Sequence, residues 1–267
     1  MFRIFNLHFT DLCNFHCGLC FVKKEGRELP FSDCKKVIDR IAEYFEERNI
    51  DDGRINIAGG EPLFSSYIQE LIDYIHCKNI RISIITNGFL LNEEFIKKNK
   101  DVIEMIGISI DSINDQTNRI LGRCQGNTVY DYNRLLENCA LVKKYGVKLK
   151  INIVVSRINI NEDIKKLLDD AKPDRFKIFQ MIPTNKFAEK TAVTKEEFLE
   201  YAHKYDGYNF VIENQSAMSD AYVIIDSHGK ISTNNLHADG FDILNNKISD
   251  YEDSIGFNQD NEDMRYK

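Results

Sequence analysis

The chain has 267 residues, 43% of them hydrophobic, and a formal net charge of −7. This length and apolar content suffice for one barrel-sized domain with a buried core. The acidic balance argues against general nucleic-acid binding, which relies on a basic surface. No signal-like segment opens the chain, and no apolar run approaches the roughly 20 residues of a membrane span, so we expect a cytoplasmic protein without a membrane partner.

Short apolar runs alternate with segments of helical period over the first 206 residues. Strands are predicted at residues 2–9, 55–57, 80–85, 103–110, 147–155 and 176–181, and a helix follows each of them. Six such units in sequence predict an α/β fold with a parallel sheet and right-handed crossovers. An open doubly wound sheet and a partial (β/α)6 TIM-like barrel both fit. The glycine-rich stretch after the second strand lacks the G-x-G-x-x-G spacing of a dinucleotide site, which favours the barrel.

The alternation of strands and helices ends after Asp206. A short hairpin is predicted around Ser227-His228-Gly229, with strands at residues 222–226 and 230–232, and the last forty residues are polar. We interpret residues 1–206 as the barrel and residues 207–267 as a C-terminal extension of the same structural domain. This extension is expected to close the active site, and the alternative is a tail without fixed structure.

Three cysteines, Cys13, Cys17 and Cys20, follow the first strand with the spacing C-x3-C-x2-C. Three thiolates can hold three irons of a [4Fe–4S] cluster and leave the fourth iron open, whereas a fully ligated electron carrier needs a fourth cysteine nearby. The alternative is a zinc site with four ligands. The nearest candidates for its fourth ligand are His16, between two of the thiols, and Cys34, beyond a charged loop. The spacing therefore favours a reactive iron–sulfur cluster.

Polar residues also follow the next predicted strands. Gly59-Gly60-Glu61-Pro62 follows the second strand, and Asn87 follows the third. The carboxyl ends of parallel strands share one edge of the sheet, so we expect these residues to lie beside the cysteines. Glycines there let the backbone approach a ligand closely, and a carboxylate can accept hydrogen bonds from an ammonium group. Taken alone, this motif is also typical of an ordinary turn between a strand and a helix.

The cysteine spacing together with Gly-Gly-Glu-Pro resembles the radical S-adenosylmethionine enzymes. The resemblance implies two cofactors, a [4Fe–4S] cluster on Cys13, Cys17 and Cys20, and S-adenosylmethionine bound at the open iron. It implies cofactor contacts for a second set of residues, namely Gly59, Gly60, Glu61, Asn87, Ser109 and Arg123. The guanidinium of Arg123 suits a bidentate grip on the carboxylate of S-adenosylmethionine. The sequence departs from the family pattern at Leu19, where an aromatic residue is common.

Three predicted strands carry cationic or amide side chains two residues apart. The pairs are Arg54 and Asn56, Lys150 and Asn152, and Arg175 and Lys177. Side chains two apart face the same side of a strand, and helices cover the outer side of such a sheet, so these pairs should point into the lumen. Cations in a lumen are costly unless an anion with several charges matches them, which predicts a triphosphate site. The alternative is that these side chains reach bulk water at the strand starts.

Stretches along the whole chain are similar to the viperin-like branch of this family. They are His8-Phe9-Thr10, Phe21, Asp111-Ser112, Leu121-Gly122-Arg123, Lys150-Ile151-Asn152, residues 175–180, Asn214-Gln215, Asp220-Ala221-Tyr222 and Asp226. This resemblance implies that a nucleoside triphosphate is converted to its 3′-deoxy-3′,4′-didehydro analogue, an antiviral chain terminator. CTP and UTP are the expected substrates, with GTP behind. An electron donor of the flavodoxin or ferredoxin type is implied as a partner, and we expect a monomer.

The viperin-like resemblance also assigns roles to single residues. It places the six paired residues around the triphosphate and ribose, and it places Tyr222 in the active site, to deliver a hydrogen atom or to hold the ribose. Asn6 is expected to read either CTP or UTP by rotating its amide. Arg54 stands where the animal members have lysine, and Ala58 where they have serine, so the preferred base is left open.

Two other functions fit parts of this pattern. The first is a radical enzyme that modifies peptides, although such enzymes often carry further cysteine clusters near the C-terminus, and here no cysteine follows Cys139. The second is a protein without enzymatic activity whose iron–sulfur cluster senses redox state. The polar strand pairs have no use in a sensor.

Overall fold

The computed structural model describes residues 1–218, 222–233 and 240–255. The strands are β1 (Ile4–Leu7), β2 (Arg54–Ile57), β3 (Arg81–Thr86), β4 (Ile103–Ser109), β5 (Cys124–Gln125), β6 (Thr128–Val129), β7 (Lys148–Val155), β8 (Arg175–Gln180), β9 (Phe210–Glu213), β10 (Val223–Ile225), β11 (Lys230–Thr233) and β12 (Phe241–Asp242). The helices are α1 (Phe31–Glu47), α2 (Ile68–Cys77), α3 (Glu93–Asn99), α4 (Asp115–Leu121), α5 (Tyr132–Lys144), α6 (Lys165–Ala171), α7 (Lys186–Thr191), α8 (Lys195–His203), α9 (Gln215–Met218) and α10 (Ile248–Ser254).

The central sheet is mainly parallel. Its strand order is β12-β11-β10-β1-β2-β3-β4-β7-β8-β9, and β5 and β6 form a separate two-stranded ribbon. Every neighbouring pair from β10 to β9 is parallel, whereas β11 and β12 add to one edge as antiparallel strands. This arrangement confirms the α/β barrel-type fold with a C-terminal extension.

Helices cover one face of the sheet because their apolar residues recur at helical spacing. Val37, Ile38 and Ile41 of α1 are fully buried in the core that also contains the outward-facing isoleucines of the strands. Side-chain caps mark several starts, including the capping box in which Thr194 and Glu197 bond reciprocally at α8. None of the described helices combines the length and apolar character needed to cross a membrane.

The two short parallel strands β9 and β10 extend the sheet beyond the six predicted strands. The predicted hairpin is present as β10 and β11, which pair antiparallel. Strand β9 was not predicted, because four residues after a glycine turn give too short an alternation to distinguish from a loop. The predicted extension includes residues 219–221, 234–239 and 256–267, which lie outside the described residues.

The sheet bends around a lumen. Glu213 ends β9 at one end of the row of parallel strands, and Tyr222 immediately precedes β10 at the other end. The hydroxyl of Tyr222 nevertheless donates a hydrogen bond to the carboxylate of Glu213. Six strands lie between β10 and β9, and two residues this far apart along the row can meet only when the sheet curls. Polar side chains on its inner face are thereby brought together.

Candidate active site

The three cysteines lie in the loop that follows β1, and backbone contacts hold this loop against the end of α4. The amide of His16 donates to the carbonyl of Gly122 at 3.2 Å, and the amide of Gly18 donates to the carbonyl of Leu121 at 2.9 Å. Gly122 has a φ of +74°, and a Cβ there would lie 2.2 Å from the carbonyl oxygen of His16. Both observations require glycine at position 122.

The three thiols are suitable donors for an iron–sulfur cluster. All three are free and partly exposed. Burial raises the pKa of the Cys17 thiol to about 11; the charge of Arg123 opposes this shift, and Asp111, Cys20 and Cys13 add to it. Iron would have to replace these protons, as metal binding to cysteine generally does.

The geometry of the described residues does not fit a zinc site. Within residues 1–218, 222–233 and 240–255, no group of three or more His, Cys, Asp or Glu side chains is placed to hold one metal ion. A zinc ion needs four donors around one point. Three cysteines on three different irons have no such requirement, so the triad fits a [4Fe–4S] cluster.

The paired glycines after β2 approach the protein's own backbone. A Cβ on Gly59 would lie 2.3 Å from the carbonyl oxygen of Thr10, and a Cβ on Gly60 would lie 2.1 Å from that of Leu12. The amide of Gly60 donates to Thr10 at 2.7 Å, and the amide of Glu61 donates to Leu12 at 2.8 Å. These glycines therefore bring the end of β2 against the segment that leads into Cys13, a role that the sequence did not indicate.

Glu61 is fully buried beside this segment and accepts three hydrogen bonds. The donors are the Thr86 hydroxyl at 2.6 Å, the Asn87 amide at 2.7 Å and the Leu63 amide at 3.1 Å. Burial raises the pKa of Glu61 to about 6, and these donors oppose the shift. Glu61 thereby ties the ends of β2 and β3 together.

Asn87, Ser109 and Arg123 line one cleft next to the cysteine loop. The side-chain amide of Asn87 donates to Asn14 at 2.7 Å and contacts the sulfur of Cys13 at 3.9 Å. A larger depression lies near the amino ends of β2 and β3, and none of the predicted site residues lines it. The cleft by the cysteines is therefore the relevant one, because it joins the predicted cofactor residues to the cluster loop.

The guanidinium of Arg123 is held by two partners at the end of β4. Its Nη1 atom lies 2.7 Å from a carboxylate oxygen of Asp111, and its Nη2 atom donates to the carbonyl of Ser109. The Arg123 side chain is 11% exposed, and its positive charge acts to lower the pKa of the nearby Cys17 thiol. The fork of the guanidinium thus fixes a positive charge between β4 and the cysteine loop.

The strand register places the predicted phosphate-binding side chains in two rows. Lys150 on β7 lies opposite Arg175 on β8, and Asn152 lies opposite Lys177. Burial, followed by the charges of Lys177, Arg175 and Arg54, lowers the pKa of Lys150 well below its usual value, and Glu213 opposes this shift. Part of the Lys150 side chain is exposed to the lumen, while many protein atoms surround its ammonium. The charges of the other three predicted cations therefore reach Lys150.

Glu213 was missed by the sequence analysis. Its carboxylate lies 2.5 Å from the ammonium of Lys177 and accepts the hydroxyl proton of Tyr222, and the side chain is 1% exposed. The signal that could have found Glu213 is an acidic residue directly after a run of three apolar residues. That signal has meaning only once Phe210–Glu213 is known to be a strand.

Asn6, Asn56 and Ser83 form a hydrogen-bonded chain across β1, β2 and β3. Asn56 donates to the Asn6 carbonyl oxygen at 2.9 Å, and the Ser83 hydroxyl donates to Asn56. The Asn6 amide nitrogen donates to the carbonyl of Val223 at 3.1 Å. These contacts hold the Asn6 amide in one orientation, so reading a base by rotation would require both hydrogen bonds to break, and this role stays a prediction.

The polar atoms of the Arg54 and Asn152 side chains differ in their partners within the protein. Arg54 lies at the start of β2 and pairs with Glu104 at 3.2 Å, and Arg81 also binds this carboxylate. The side-chain carbonyl oxygen of Asn152 is buried and has no hydrogen-bond partner in the described part of the chain. A buried acceptor without a partner is costly, so Asn152 is suited to accept a hydrogen bond from a ligand.

His8 follows β1 and is a second residue whose position the sequence did not reveal. Its ring lies 5.7 Å from that of Phe21, next to the last cysteine of the loop. Burial lowers the pKa of His8 to about 4, so the imidazole is neutral near pH 7.

Comparison with known proteins places this chain in a family. The Radical SAM superfamily model matches residues 7–171. The S-adenosylmethionine-dependent nucleotide dehydratase of Flammeovirga pacifica is 33% identical over 245 residues, which cover 86% of this chain and 81% of that protein. The protein of the same name from Psychrobacter lutiphocae is 28% identical and covers 99% of this chain and 94% of its own length.

A solved structure supports the fold. Streptococcus suis SuiB bound to S-adenosylmethionine superimposes with a TM-score of 0.72 at 18% identity and covers 94% of this chain. The chain spans 65% of the length of SuiB. The radical SAM family uses a [4Fe–4S] cluster and S-adenosylmethionine, in agreement with the donor set described above. The chain therefore belongs to the radical SAM superfamily and, within it, to the viperin-like family of S-adenosylmethionine-dependent nucleotide dehydratases.

Proposed function

We propose that this protein removes water from a nucleoside triphosphate and forms the 3′-deoxy-3′,4′-didehydro analogue. CTP and UTP are the first substrates to consider, followed by GTP. The net change in the nucleotide is the loss of the C4′ hydrogen and the 3′-hydroxyl. Such a product lacks the 3′-hydroxyl that a polymerase extends, so it acts as an antiviral chain terminator.

The observation that carries this proposal is the group of cations inside the sheet. The charges of Lys177, Arg175 and Arg54 all act on Lys150 and lower its pKa, and Glu213 opposes them there. Within the described residues, the ammonium of Lys150 makes no ion pair or hydrogen bond, and like charges this close repel strongly in a lumen of low dielectric constant. A triphosphate supplies three to four negative charges and would relieve that repulsion.

The residues for the cofactors lie next to this group. Cys13, Cys17 and Cys20 would hold the cluster, and the cleft of Asn87, Ser109 and Arg123 would hold S-adenosylmethionine. When bound, this pair of cofactors supplies a 5′-deoxyadenosyl radical that can take a hydrogen atom from a ribose carbon. Arg123 faces the cleft and can attract a carboxylate there, and the apolar side chains around the cleft exclude water.

Other side chains would orient the nucleotide. The row of Lys150 and Arg175 and the neighbouring Lys177 would bind phosphate oxygens through charge-assisted hydrogen bonds. The unpartnered carbonyl oxygen of Asn152 would accept a ribose hydroxyl. Tyr222 would face the ribose, where its hydroxyl can donate a hydrogen atom or hold the sugar. The electron donor is proposed to be a small carrier of the flavodoxin or ferredoxin type.

An equimolar mixture of the four ribonucleoside triphosphates provides the decisive test. Protein reconstituted with iron and sulfide would be mixed with S-adenosylmethionine and dithionite, and the products would be identified by mass spectrometry. We expect one nucleotide to lose 18 mass units, as removal of water requires, and 5′-deoxyadenosine to form faster with nucleotide than without it. An equal rate of 5′-deoxyadenosine formation with and without every nucleotide would refute the proposal.

A pair of serine variants tests the cluster. Cys17→Ser should lose the broad visible absorbance of a reconstituted cluster. Cys124→Ser, which changes a half-buried cysteine outside the triad, should keep it.

The substitution Lys177→Ala distinguishes an enzyme from a redox sensor. The enzyme would bind nucleotide about tenfold more weakly and keep its cluster, whereas a sensor would be unaffected.

A further inference from the structure

Glu213 uses its two carboxylate oxygens for two different partners. Oε1 lies 2.5 Å from the ammonium of Lys177, and Oε2 accepts the hydroxyl of Tyr222. The side chains of Glu213 and Lys177 are 1% and 3% exposed. A carboxylate with so little exposure is costly unless its lone pairs are engaged, so the position of Glu213 is constrained by both contacts.

The surroundings of Glu213 explain why an acid is needed there. Lys177 points into the region that also contains Lys150 and Arg175, and their like charges repel it. The carboxylate of Glu213 offsets this repulsion and holds the Lys177 ammonium at a fixed place. An ammonium group has three donors, so Lys177 can keep this contact and still bind a phosphate oxygen.

Glu213 also lies where the two ends of the row of parallel strands, β9 and β10, meet. It ends β9, opposite Phe179 of β8, and Tyr222 precedes β10 beside β1. The segment after Glu213 is anchored to β8, because the Gln215 amide donates to the Gln180 side chain at 3.1 Å and the Gln215 side chain donates to the carbonyl of Met181 at 3.0 Å. Glu213 is therefore a rigid support for Tyr222.

We propose that Glu213 is a positioning residue that fixes the Lys177 ammonium relative to the Tyr222 hydroxyl. The ammonium would bind the triphosphate, and the hydroxyl would contact the ribose. This inference rests on the proposed function, because it names how that same site is organised. The hydroxyl of Tyr222 donates its proton to Glu213, so the direction of this hydroxyl depends on the carboxylate. Loss of the carboxylate removes one contact from each of the two partners.

The first experiment measures equilibrium binding of CTP and UTP to the reconstituted protein with S-adenosylmethionine and without reductant. Lys177→Met should weaken binding by about tenfold in the wild-type background, the usual value of a charge-assisted hydrogen bond. In the Glu213→Gln background, the same substitution should change binding by less than about twofold, because Lys177 is no longer held in place. Equal losses in both backgrounds would overturn the proposal. Tighter binding by Glu213→Gln would overturn it too, since it would show that Glu213 only competes with phosphate.

The second experiment measures how many 5′-deoxyadenosine molecules form for each dehydrated nucleotide. This ratio does not depend on the fraction of folded enzyme. We expect Glu213→Gln and Tyr222→Phe each to raise it by about tenfold, and the double variant to match the single variants, as two members of one unit should. An unchanged ratio in Glu213→Gln, or additive effects in the double variant, would contradict the role of Glu213 at Tyr222.

A matched control lies on the surface. Glu93 is also bound by a lysine and a tyrosine, since Lys144 and Tyr145 contact its Oε1 atom at 2.9 and 2.8 Å, but its side chain is 50% exposed. Glu93→Gln should leave nucleotide binding and the product ratio unchanged, and a shift in either would overturn the claim that burial at the site matters. Absence of nucleotide binding by the wild-type protein would refute the proposed function itself. Normal binding by the wild-type protein, with equal effects of Lys177→Met in both backgrounds, would refute this inference alone.

Discussion

The side chain of Lys150 lies directly over the backbone of Gly107. The two residues are register partners on β7 and β4, and a Cβ on Gly107 would lie 2.9 Å from Cε of Lys150. The same Cβ would meet Cδ1 of Ile85 at 2.8 Å and the amide nitrogen of Asn152 at 3.5 Å. Gly107 therefore leaves the space through which Lys150 reaches the other cations.

Filling this space should weaken nucleotide binding in proportion to the volume added. Gly107→Ala meets the ends of flexible side chains, which can shift, so its effect should be within about threefold. Gly107→Val should displace the Lys150 ammonium and weaken triphosphate binding by about tenfold. Isothermal titration calorimetry without reductant measures the affinity, and thermal unfolding serves as the control for overpacking. Equal affinities for all three proteins would show that Lys150 does not need this space.

Nucleotide binding should be coupled to proton uptake at Lys150. Its pKa in the nucleotide-free protein lies well below the usual value, because of burial and the charges of Lys177, Arg175 and Arg54, with Glu213 acting in the opposite direction. A bound triphosphate would raise that pKa, so affinity should increase as the pH falls toward neutrality. Calorimetry in two buffers with different ionisation enthalpies would detect a net uptake of protons when the nucleotide binds. Lys150→Met should abolish most of this uptake, and uptake that persists in this variant would assign the proton to another group.

The stability of the nucleotide-free protein should depend on pH through the same ammonium group of Lys150. Between the lowered pKa of Lys150 and its ordinary value, the unfolded chain binds more protons than the folded protein, so stability rises with pH in this window and falls as the pH is lowered through it. Lys150→Met should remove this dependence. The unfolding midpoints of the two proteins, compared across the window, should differ most at its lower end. A constant difference would contradict the lowered pKa.

The unpartnered carbonyl oxygen of Asn152 predicts discrimination between nucleotides with and without a ribose hydroxyl. The wild-type protein should bind the ribonucleotide about tenfold more tightly than one of its 2′-deoxy or 3′-deoxy analogues, because a buried acceptor would otherwise remain unsatisfied. In Asn152→Ala, the preference should disappear while triphosphate binding remains. A preference that survives the substitution would place the ribose contact elsewhere. Competition binding with the three nucleotides makes this comparison.

Arg123→Lys should impair S-adenosylmethionine binding despite keeping the charge. Two different nitrogens of the guanidinium bind Asp111 and the carbonyl of Ser109, and a lysine ammonium cannot reproduce that planar fork. We expect a loss of at least about tenfold in affinity, measured by equilibrium dialysis. The matched control is Arg119→Lys at the exposed end of α4, where Arg119 bonds the Asn127 carbonyl. Equal losses in both variants would indicate a general effect on this segment.

The strand pattern was sufficient to predict the parallel sheet, and the cysteine spacing together with Gly-Gly-Glu-Pro was sufficient to predict the family. The edge at which the site lies stays a prediction. Alternation of apolar runs and helical periods is a local property, and so is the spacing of Cys13, Cys17 and Cys20. Strand parity also predicted that the polar pairs share the inner face of the sheet, whereas the alignment of two pairs in rows follows from the pairing of β7 with β8. The contacts of Gly59 and Gly60 with the backbone of Thr10 and Leu12 were not predicted, because sequence order does not show which backbone passes over them, and their contact with a cofactor stays a prediction.

The sequence by itself determined which side chains could serve the chemistry, because donor type, charge and strand parity can be read from neighbouring positions. Tertiary structure alone decided how they are paired. It joined Glu213 to Lys177 and Tyr222, fixed the amide of Asn6, and left Asn152 with an unused acceptor. These relationships depend on the curl of the sheet, which brings β9 and β10 together although six strands lie between them. No local pattern in the chain encodes a contact between the two ends of this row of parallel strands.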